Sequence, residues 1–544
     1  MDELMSCDTN PNPNPNLFFS SSSSSPRRGV PLFLLLPPPH SNTPPREYLK
    51  LQQLSFSSTG YMDVDDGGLA IVRVKPMGAG GGGIERSGTD LKDGDGALKF
   101  DYESIDVQTA HSVKKFTYPR HVVGPELDNE GLYQQFLPSR IDAFFEGINV
   151  NVMCYGQTGT GKTHTIFGTP GIMERAGRGD YGISVTKDYG IFPRALLEIF
   201  SRSKSATPGQ IVLTCSAIEL SMLGNKCMFD TGRKKASQGL CSAEAYGVTI
   251  DKRAKPPKMY GMEEVVLETE EDVLRTFRAI ATRNTAGTGM NDSSSRTHCF
   301  AFLKLYVKEG ANDVRVTRFQ FVDLAGSERL KDASGTTDFR DSDQAFTGML
   351  TNYSLTMLLQ AIRALVHQRG RERKKKTKPK PFSFRAYLFD LVLLLSESLE
   401  GEALTAVIVC VSQSPANASQ SAFALDFGSE FAKLRLRGVP KKSVSMAAMV
   451  KVAEKARKEA VAKLKAGVSV KYTNIRKAQL LEAKQTLGVM GRLGAVGGAV
   501  TGGGSGAGGG SGGESKTSGG RRAQGNGGGR STPRSPRVEA TRKK

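Results

Sequence analysis

The sequence predicts an α/β fold, with strands and helices alternating around one large core, and three observations carry that prediction. Gly156-Gln-Thr-Gly-Thr-Gly-Lys-Thr163 follows an apolar strand-like run, Val150–Tyr155, and opens a helix-like one. A second apolar run, Phe319-Gln-Phe-Val-Asp323, ends in a carboxylate. A third, starting near Leu69, is stopped by Pro76. Strands that each feed a loop or helix in this way belong to layered α/β architecture.

The chain has 544 residues, enough for roughly two to four domains at ~150 residues each. Its 61 Gly and 25 Pro mean that part of that length is linker rather than core. Four segments follow. Residues 1–66 hold Asn-Pro repeats, a serine run (Ser20–Ser25) and a proline cluster, a composition that cannot bury enough apolar surface to fold, so disorder is expected. Residues 67–438 have globular patterning, interrupted by the Gly78–Gly83 loop. Residues 439–490 are alanine-rich and basic and predict short helices broken at Gly467. Residues 491–544 form a flexible Gly/Arg-rich tail. No run of ~18 apolar residues exists, so no membrane span is expected. The seven cysteines show no C-x-x-C spacing and read as reduced core thiols rather than a zinc site.

The net charge of +20 favours an acidic partner, and its distribution is informative. Residues 441–490 carry 12 Lys and Arg against 3 Glu, and residues 491–544 carry 10 against 2, so +17 lies beyond position 440. Within the globular part, Arg369–Lys380 holds eight basic residues and one acid, a +7 segment, and the rest up to 440 sums to about −4. Taken alone, such a run is a solvated loop or a nuclear localisation patch.

Gly156–Thr163 matches G-x-x-x-x-G-K-[ST]. The glycines let the backbone curl so that successive N–H groups of Gly156, Gln157, Thr158, Gly159, Thr160 and Gly161 point at phosphate oxygens. Lys162 reaches the outer phosphates and the Thr163 hydroxyl takes one Mg²⁺ place. Asp323 supplies a carboxylate on the Mg²⁺ side, through water, and Gly326 can turn its N–H toward a γ-phosphate. Asn291-Asp-Ser-Ser-Ser-Arg-Thr-His298 is a hydroxyl cluster that, in isolation, reads as a polar turn.

Together, Tyr155–Thr165, Asn291–His298 and Asp323-Leu-Ala-Gly-Ser-Glu-Arg329 resemble the P-loop, switch I and switch II of the kinesin motor domain, in order and spacing, over about two-thirds of the chain. The resemblance implies a P-loop NTPase of kinesin type, with a central mixed, mainly parallel β-sheet flanked by helices on both faces. It implies an ATPase using ATP and Mg²⁺, stimulated by microtubules, in the cytoplasm on the cytoskeleton. By motif match, Arg73, Pro76 and His164 flank the adenine, with Lys75 where the family usually has arginine. Ser294 and Ser295 close on Mg²⁺ and γ-phosphate, so the implied metal set is Thr163, Ser295 and Asp323. Arg296 and Glu328 pair across the switches and position the attacking water, a latch between two mobile loops.

The resemblance also places a switch II helix at about Asn352–Gln368 and puts the basic segment on the microtubule face. Arg373, Lys374, Lys375, Lys376, Lys378 and Lys380 are then the expected contacts with tubulin's glutamate-rich tails. Pro381-Phe-Ser-Phe-Arg-Ala-Tyr-Leu388 stands where the family carries Pro-Tyr-Arg-Asp-Ser-Lys-Leu-Thr, so three charged docking residues are missing and the basic segment is expected to compensate. A non-motile, microtubule-binding nucleotide switch is the alternative. Val444–Leu464 reads as a neck-like helix without sustained heptads, which predicts a monomer or a partner-mediated dimer. Cargo is open, and the tail suits an acidic partner: RNA, anionic lipid or tubulin.

Overall fold

The computed structural model describes residues 68–77, 97–118, 121–221, 224–229, 247–251, 257–283, 296–328, 343–387, 389–467 and 470–494. The low-complexity extension, the tail beyond 494, Ser294 and Ser295 lie outside them.

Seven strands organise the molecule: β1 (Leu69–Val74), β2 (Asn149–Tyr155), β3 (Ile211–Leu220), β4 (His298–Glu309), β5 (Asp313–Asp323), β6 (Ala403–Val411) and β7 (Val444–Ser445). They lie in one mixed sheet, ordered Lys258–Tyr260, Gly247–Asp251, Asn225–Cys227, β3, β4, β5, β2, β6, β1 and Val122–Val123. The half that carries the glycine loop is parallel: β5 pairs β2, β2 pairs β6 and β6 pairs β1. The other half is antiparallel, with β4 between β3 and β5.

Side chains alternate between faces along a strand. All seven residues of β2 are buried, as are all of β6 but Leu404, so helices must cover both faces there. The helices used below are α1 (Lys162–Ile166), α2 (Ile191–Lys204), α3 (Glu270–Ala281), α4 (Asp343–Lys374), α5 (Ala418–Ala432), α6 (Met446–Lys465) and α7 (Val470–Arg492); others, including Asn129–Phe136, Pro138–Phe145 and Ile172–Arg178, complete the two layers. Among the described residues, no helix is long and apolar enough to cross a membrane. The five described cysteines are buried and unbridged, and burial pushes the Cys299 thiol up to about 12.

Two departures from the sequence reading concern the C-terminal half. Helix α4 is longer than Asn352–Gln368 at both ends, so Arg369–Lys374 is not loop but the last turns of the helix. The run of charges suggested a loop. Arg, Lys, Gln and Glu are nevertheless good helix formers, and cations at a C-terminus face the negative end of the dipole.

The neck-like helix expected over Val444–Leu464 is present as α6, but it and α7 after Gly467 are long, 20 and 23 residues, rather than short. After α5 the chain runs along the sheet: Lys441 N–H donates to Gly147 O at 2.8 Å, and β7 pairs antiparallel with the start of β5. Ser445 caps α6, accepting from Ala448 N–H at 3.4 Å, and the chain turns at Gly467 (φ 73°). Helices α6 and α7 then pack as a hairpin. Val489 and Met490 of α7, Leu493 just beyond it and Met446 of α6 form a second core with Val212, Tyr306 and Val314. Their strand neighbours Leu213 and Leu305 belong to the main core, so the hairpin covers the opposite face of these strand ends.

Candidate functional site

The site lies at the carboxyl ends of β2 and β5, where parallel α/β sheets place ligands. Glycine is required where the chain leaves β2. Gly156 has φ 148°, and a Cβ there would lie 2.2 Å from the Cys410 carbonyl of β6. Gly159 and Gly161 also adopt positive φ, and the loop passes into α1 at Lys162. Lys162 is buried, with Nζ donating to Gln157 O at 2.9 Å across the loop. Gln157 Nε2 donates to Asn417 Oδ1 at 3.0 Å, tying the loop to the segment before α5.

β5 pairs β2 in parallel register, Asp323 beside Cys154, and so delivers its terminal carboxylate to the loop. Thr163 Oγ1 donates to Asp323 Oδ2 at 2.7 Å. The same oxygen receives Arg283 NH1, and both side chains of this pair are 1% exposed. Burial alone would lower the Arg283 pKa, but the Asp323 charge outweighs it and holds the guanidinium above its ordinary value. Arg283 also donates to Thr297 O at 3.0 Å, bridging to the segment that enters β4. Asp323 Oδ1 is buried and has no hydrogen-bond partner among the described residues.

After Asp323 the chain turns back over the glycine loop. A Cβ on Gly326 would lie 2.2 Å from Thr158 Oγ1, so a larger residue would displace that hydroxyl and the Glu328 carboxylate. Glu328 accepts from Thr158 N–H at 2.8 Å and from Thr158 Oγ1 at 2.6 Å. Both oxygens of Glu328 therefore face the phosphate loop. Arg296, the expected partner across the switches, opens the segment that enters β4. A bidentate grip on a backbone N–H and an adjacent hydroxyl satisfies the carboxylate locally.

Of the expected adenine-flanking residues, Arg73 is tied behind the loop, donating to Asn129 Oδ1 at 2.6 Å and Thr165 Oγ1 at 2.7 Å. Asn129 Nδ2 donates to His164 O at 3.0 Å, and Pro76 is exposed at the end of β1. Burial first, then the Arg73 charge, lowers the His164 pKa.

Sequence reasoning gave no role to Arg283, His298, Asn129 or Asn417. His298 is buried, accepts at Nδ1 from Ala325 N–H at 3.1 Å and meets Ser354 Oγ of α4 at 3.1 Å through Nε2. Burial, with the Arg283 and Lys162 charges, pushes its pKa down to about 3, so it is a neutral linker. Thr351 Oγ1 donates to Arg296 O at 2.8 Å and Asn352 Nδ2 to Glu328 O at 2.6 Å. The start of α4 thus grips both segments that border the loop.

The family model described as the kinesin motor domain matches residues 81–434, well over half the chain. The chain belongs to the kinesin motor domain family. The kinesin-like protein KIN-5A of Arabidopsis thaliana is 29% identical over 329 residues, 58% of this chain and 28% of that protein. Kinesin-like protein KIF7 of Homo sapiens is 28% identical over 327 residues, covering 58% and 22%. The chain spans less than a third of the length of these curated relatives. A solved KIF14 dimer in a two-heads-bound state, with AMP-PNP and in complex with a microtubule, superposes with a TM-score of 0.53 at 22% identity, covering 69% of this chain and 96% of that one. The structure of a fast kinesin gives 0.52 at 20% identity, covering 69% and 94%. These likenesses carry the fold.

In this motor domain Pro381–Tyr387 is an aromatic turn. Phe382 and Phe384 rings meet edge-on at 4.7 Å, Phe384 is buried, and Phe382 N–H donates to Glu400 Oε1 at 3.1 Å. Aromatic side chains that pack inward explain how the turn holds without the usual charged residues. Leu388 lies outside the described residues.

Proposed function

We propose that this motor domain hydrolyses ATP with Mg²⁺ and couples that reaction to binding and movement along microtubules, on the cytoplasmic cytoskeleton. One observation supports it above others: Asp323, Gly326 and Glu328 reach the phosphate loop from a single six-residue stretch.

The residues suit Mg²⁺, a hard cation with oxygen ligands. The Thr163 hydroxyl and the partnerless Oδ1 of buried Asp323 would hold it, with Ser295 from the hydroxyl cluster as a further oxygen. Held there, the cation would supply positive charge to offset the negative charge that develops on the phosphate oxygens. The loop N–H groups of residues 156–163 and Lys162 orient the phosphates. Gly326 N–H is the donor for the γ-phosphate. Glu328, released from Thr158 and turned to Arg296, closes the site and orients the attacking water. Arg73, Pro76 and His164 border the base.

The basic end of α4 and the turn after it supply the track contact through Arg373, Lys374, Lys375, Lys376, Lys378 and Lys380, all exposed. The α6–α7 hairpin packs Met446, Val489 and Met490 against its own motor domain, which supports a monomer or a dimer assembled through a partner. ATP turnover with and without microtubules, followed by surface gliding, tests the reading. Stimulated turnover with gliding is expected. Nucleotide binding without stimulation would leave a microtubule-binding switch instead.

A further inference from the structure

Glu372 is the only acid in the basic segment. It is 8% exposed, whereas every residue from Arg373 to Lys380 is exposed. Its carboxylate holds the turn at both ends. Oε1 accepts from the Lys380 backbone N–H at 3.0 Å and from Gln368 Nε2 at 2.9 Å, and Oε2 accepts from Arg369 NH1 at 3.0 Å. Gln368 and Arg369 each also donate to Lys380 O at 3.0 Å, so the chain leaving α4 is folded back on the helix's last turns.

The helix end is closed independently. Thr377 N–H donates to Glu372 O and Lys376 N–H to Arg373 O, both at 3.0 Å, the pattern of a Schellman motif. That motif needs a left-handed residue, usually glycine. Here it is Lys376, with φ 53°, the only non-glycine residue with positive φ among the described residues. A charged side chain is thus kept where glycine would be less strained. The Lys380 N–H first, then Gln368, holds the Glu372 carboxyl below its ordinary range, so it stays ionised under the lysines.

We propose that Glu372 is a positioning residue that fixes Arg373, Lys374, Lys375, Lys376 and Lys378 as a preformed cationic surface for an acidic polypeptide face of the track. This rests on the reading that the end of α4 meets the microtubule. Pre-organisation removes ordering entropy that a floppy lysine loop would lose on binding.

The test exploits opposite signs. Replacing Glu372 raises the segment's charge from +7 to +8, so bulk electrostatics demands tighter binding, whereas positioning demands weaker binding. Glu372→Ala, Glu372→Gln and a Lys374/Lys375/Lys378→Ala variant of the full chain are sedimented with microtubules and a non-hydrolysable ATP analogue across a salt series. Microtubule-stimulated ATPase is measured alongside. Glu372→Ala should bind about 3- to 10-fold more weakly, with a higher half-maximal microtubule concentration and the same plateau rate. Glu372→Gln, whose amide oxygen still accepts from Lys380 N–H, should fall between it and the wild type. Equal or tighter binding by both Glu372 variants overturns the positioning role. Unaltered binding by the lysine variant overturns the track reading beneath it, whatever Glu372 does.

Discussion

Arg283→Ala is the sharpest probe of how the site is built. The guanidinium and Asp323 are each 1% exposed, and the same arginine serves the Thr297 carbonyl at 3.0 Å. Truncation leaves a buried carboxylate whose remaining donor is the Thr163 hydroxyl. Removing one partner of a buried ion pair costs about 3–5 kcal/mol. The stranded Thr297 carbonyl adds roughly 1 kcal/mol. The total is about 4–6 kcal/mol, a large part of the roughly 5–15 kcal/mol that holds a domain together. With an unfolding entropy of about 2.1 cal/mol/K per residue over roughly 400 folded residues, the Tm should fall by about 5–7 °C. Arg283→Lys keeps the charge, but one ammonium cannot serve both Asp323 and Thr297, so it should lose about half as much. Thermal melts of the three proteins in one buffer decide it. A Tm for Arg283→Ala within about 1 °C of wild type would refute the reasoning.

Other positions give independent checks. His298 is held neutral, with its pKa pushed down to about 3, while in the unfolded chain it titrates near 6.5, so the unfolded state takes up the proton first on acidification. Its contribution is intact above about pH 6.5 and is lost toward pH 3 at up to about 1.4 kcal/mol per pH unit; His298→Asn should flatten urea-measured stability across pH 4–6. Gly326→Ala puts a Cβ 2.2 Å from Thr158 Oγ1 and should cut basal ATPase about 10²-fold with little change in melting temperature. Met490→Ala empties a fully buried place in the hairpin's core, costing about 2–5 kcal/mol locally. Limited proteolysis should then cut after residue 440 first, and an unchanged digestion pattern would count against docking of the hairpin.

What the sequence disclosed and what it hid follow one physical line. The phosphate loop is legible because its chemistry needs consecutive residues, and glycine spacing reports backbone geometry directly. Asp323 is legible for the same reason, as the polar end of an apolar strand. Arg283 is not, because its partner lies 40 positions away and no local pattern distinguishes it from a surface arginine at the end of a helix. The length of α4 was obscured by charge, since a lysine run reads as solvent-loving whether or not it is helical. The docked hairpin was obscured by size. Its inner face includes Ala453, Ala460, Ala478 and Ala483, which let two helices approach closely yet add little to an apolar stripe.

Helix α4 is the only described element that contacts both borders of the site and also carries the basic segment. At one end Thr351, Asn352 and Ser354 hold Arg296, Glu328 and His298. At the other, Glu372 organises the lysines. Thirty-two residues of helix span about 48 Å, and the 21 steps from Thr351 to Glu372 cover about 31 Å. An α-helix resists bending over that distance, so a tilt of about 10° at the gripping end moves the basic end by about 5 Å. A rearrangement of one hydrogen-bond length at Glu328 or Arg296 is therefore large enough, after leverage, to change which lysines reach a fixed acidic surface. The same leverage runs backward: a track that holds the basic end rigid constrains where Thr351 and Asn352 can sit, and hence which geometry the two loops adopt around the phosphates.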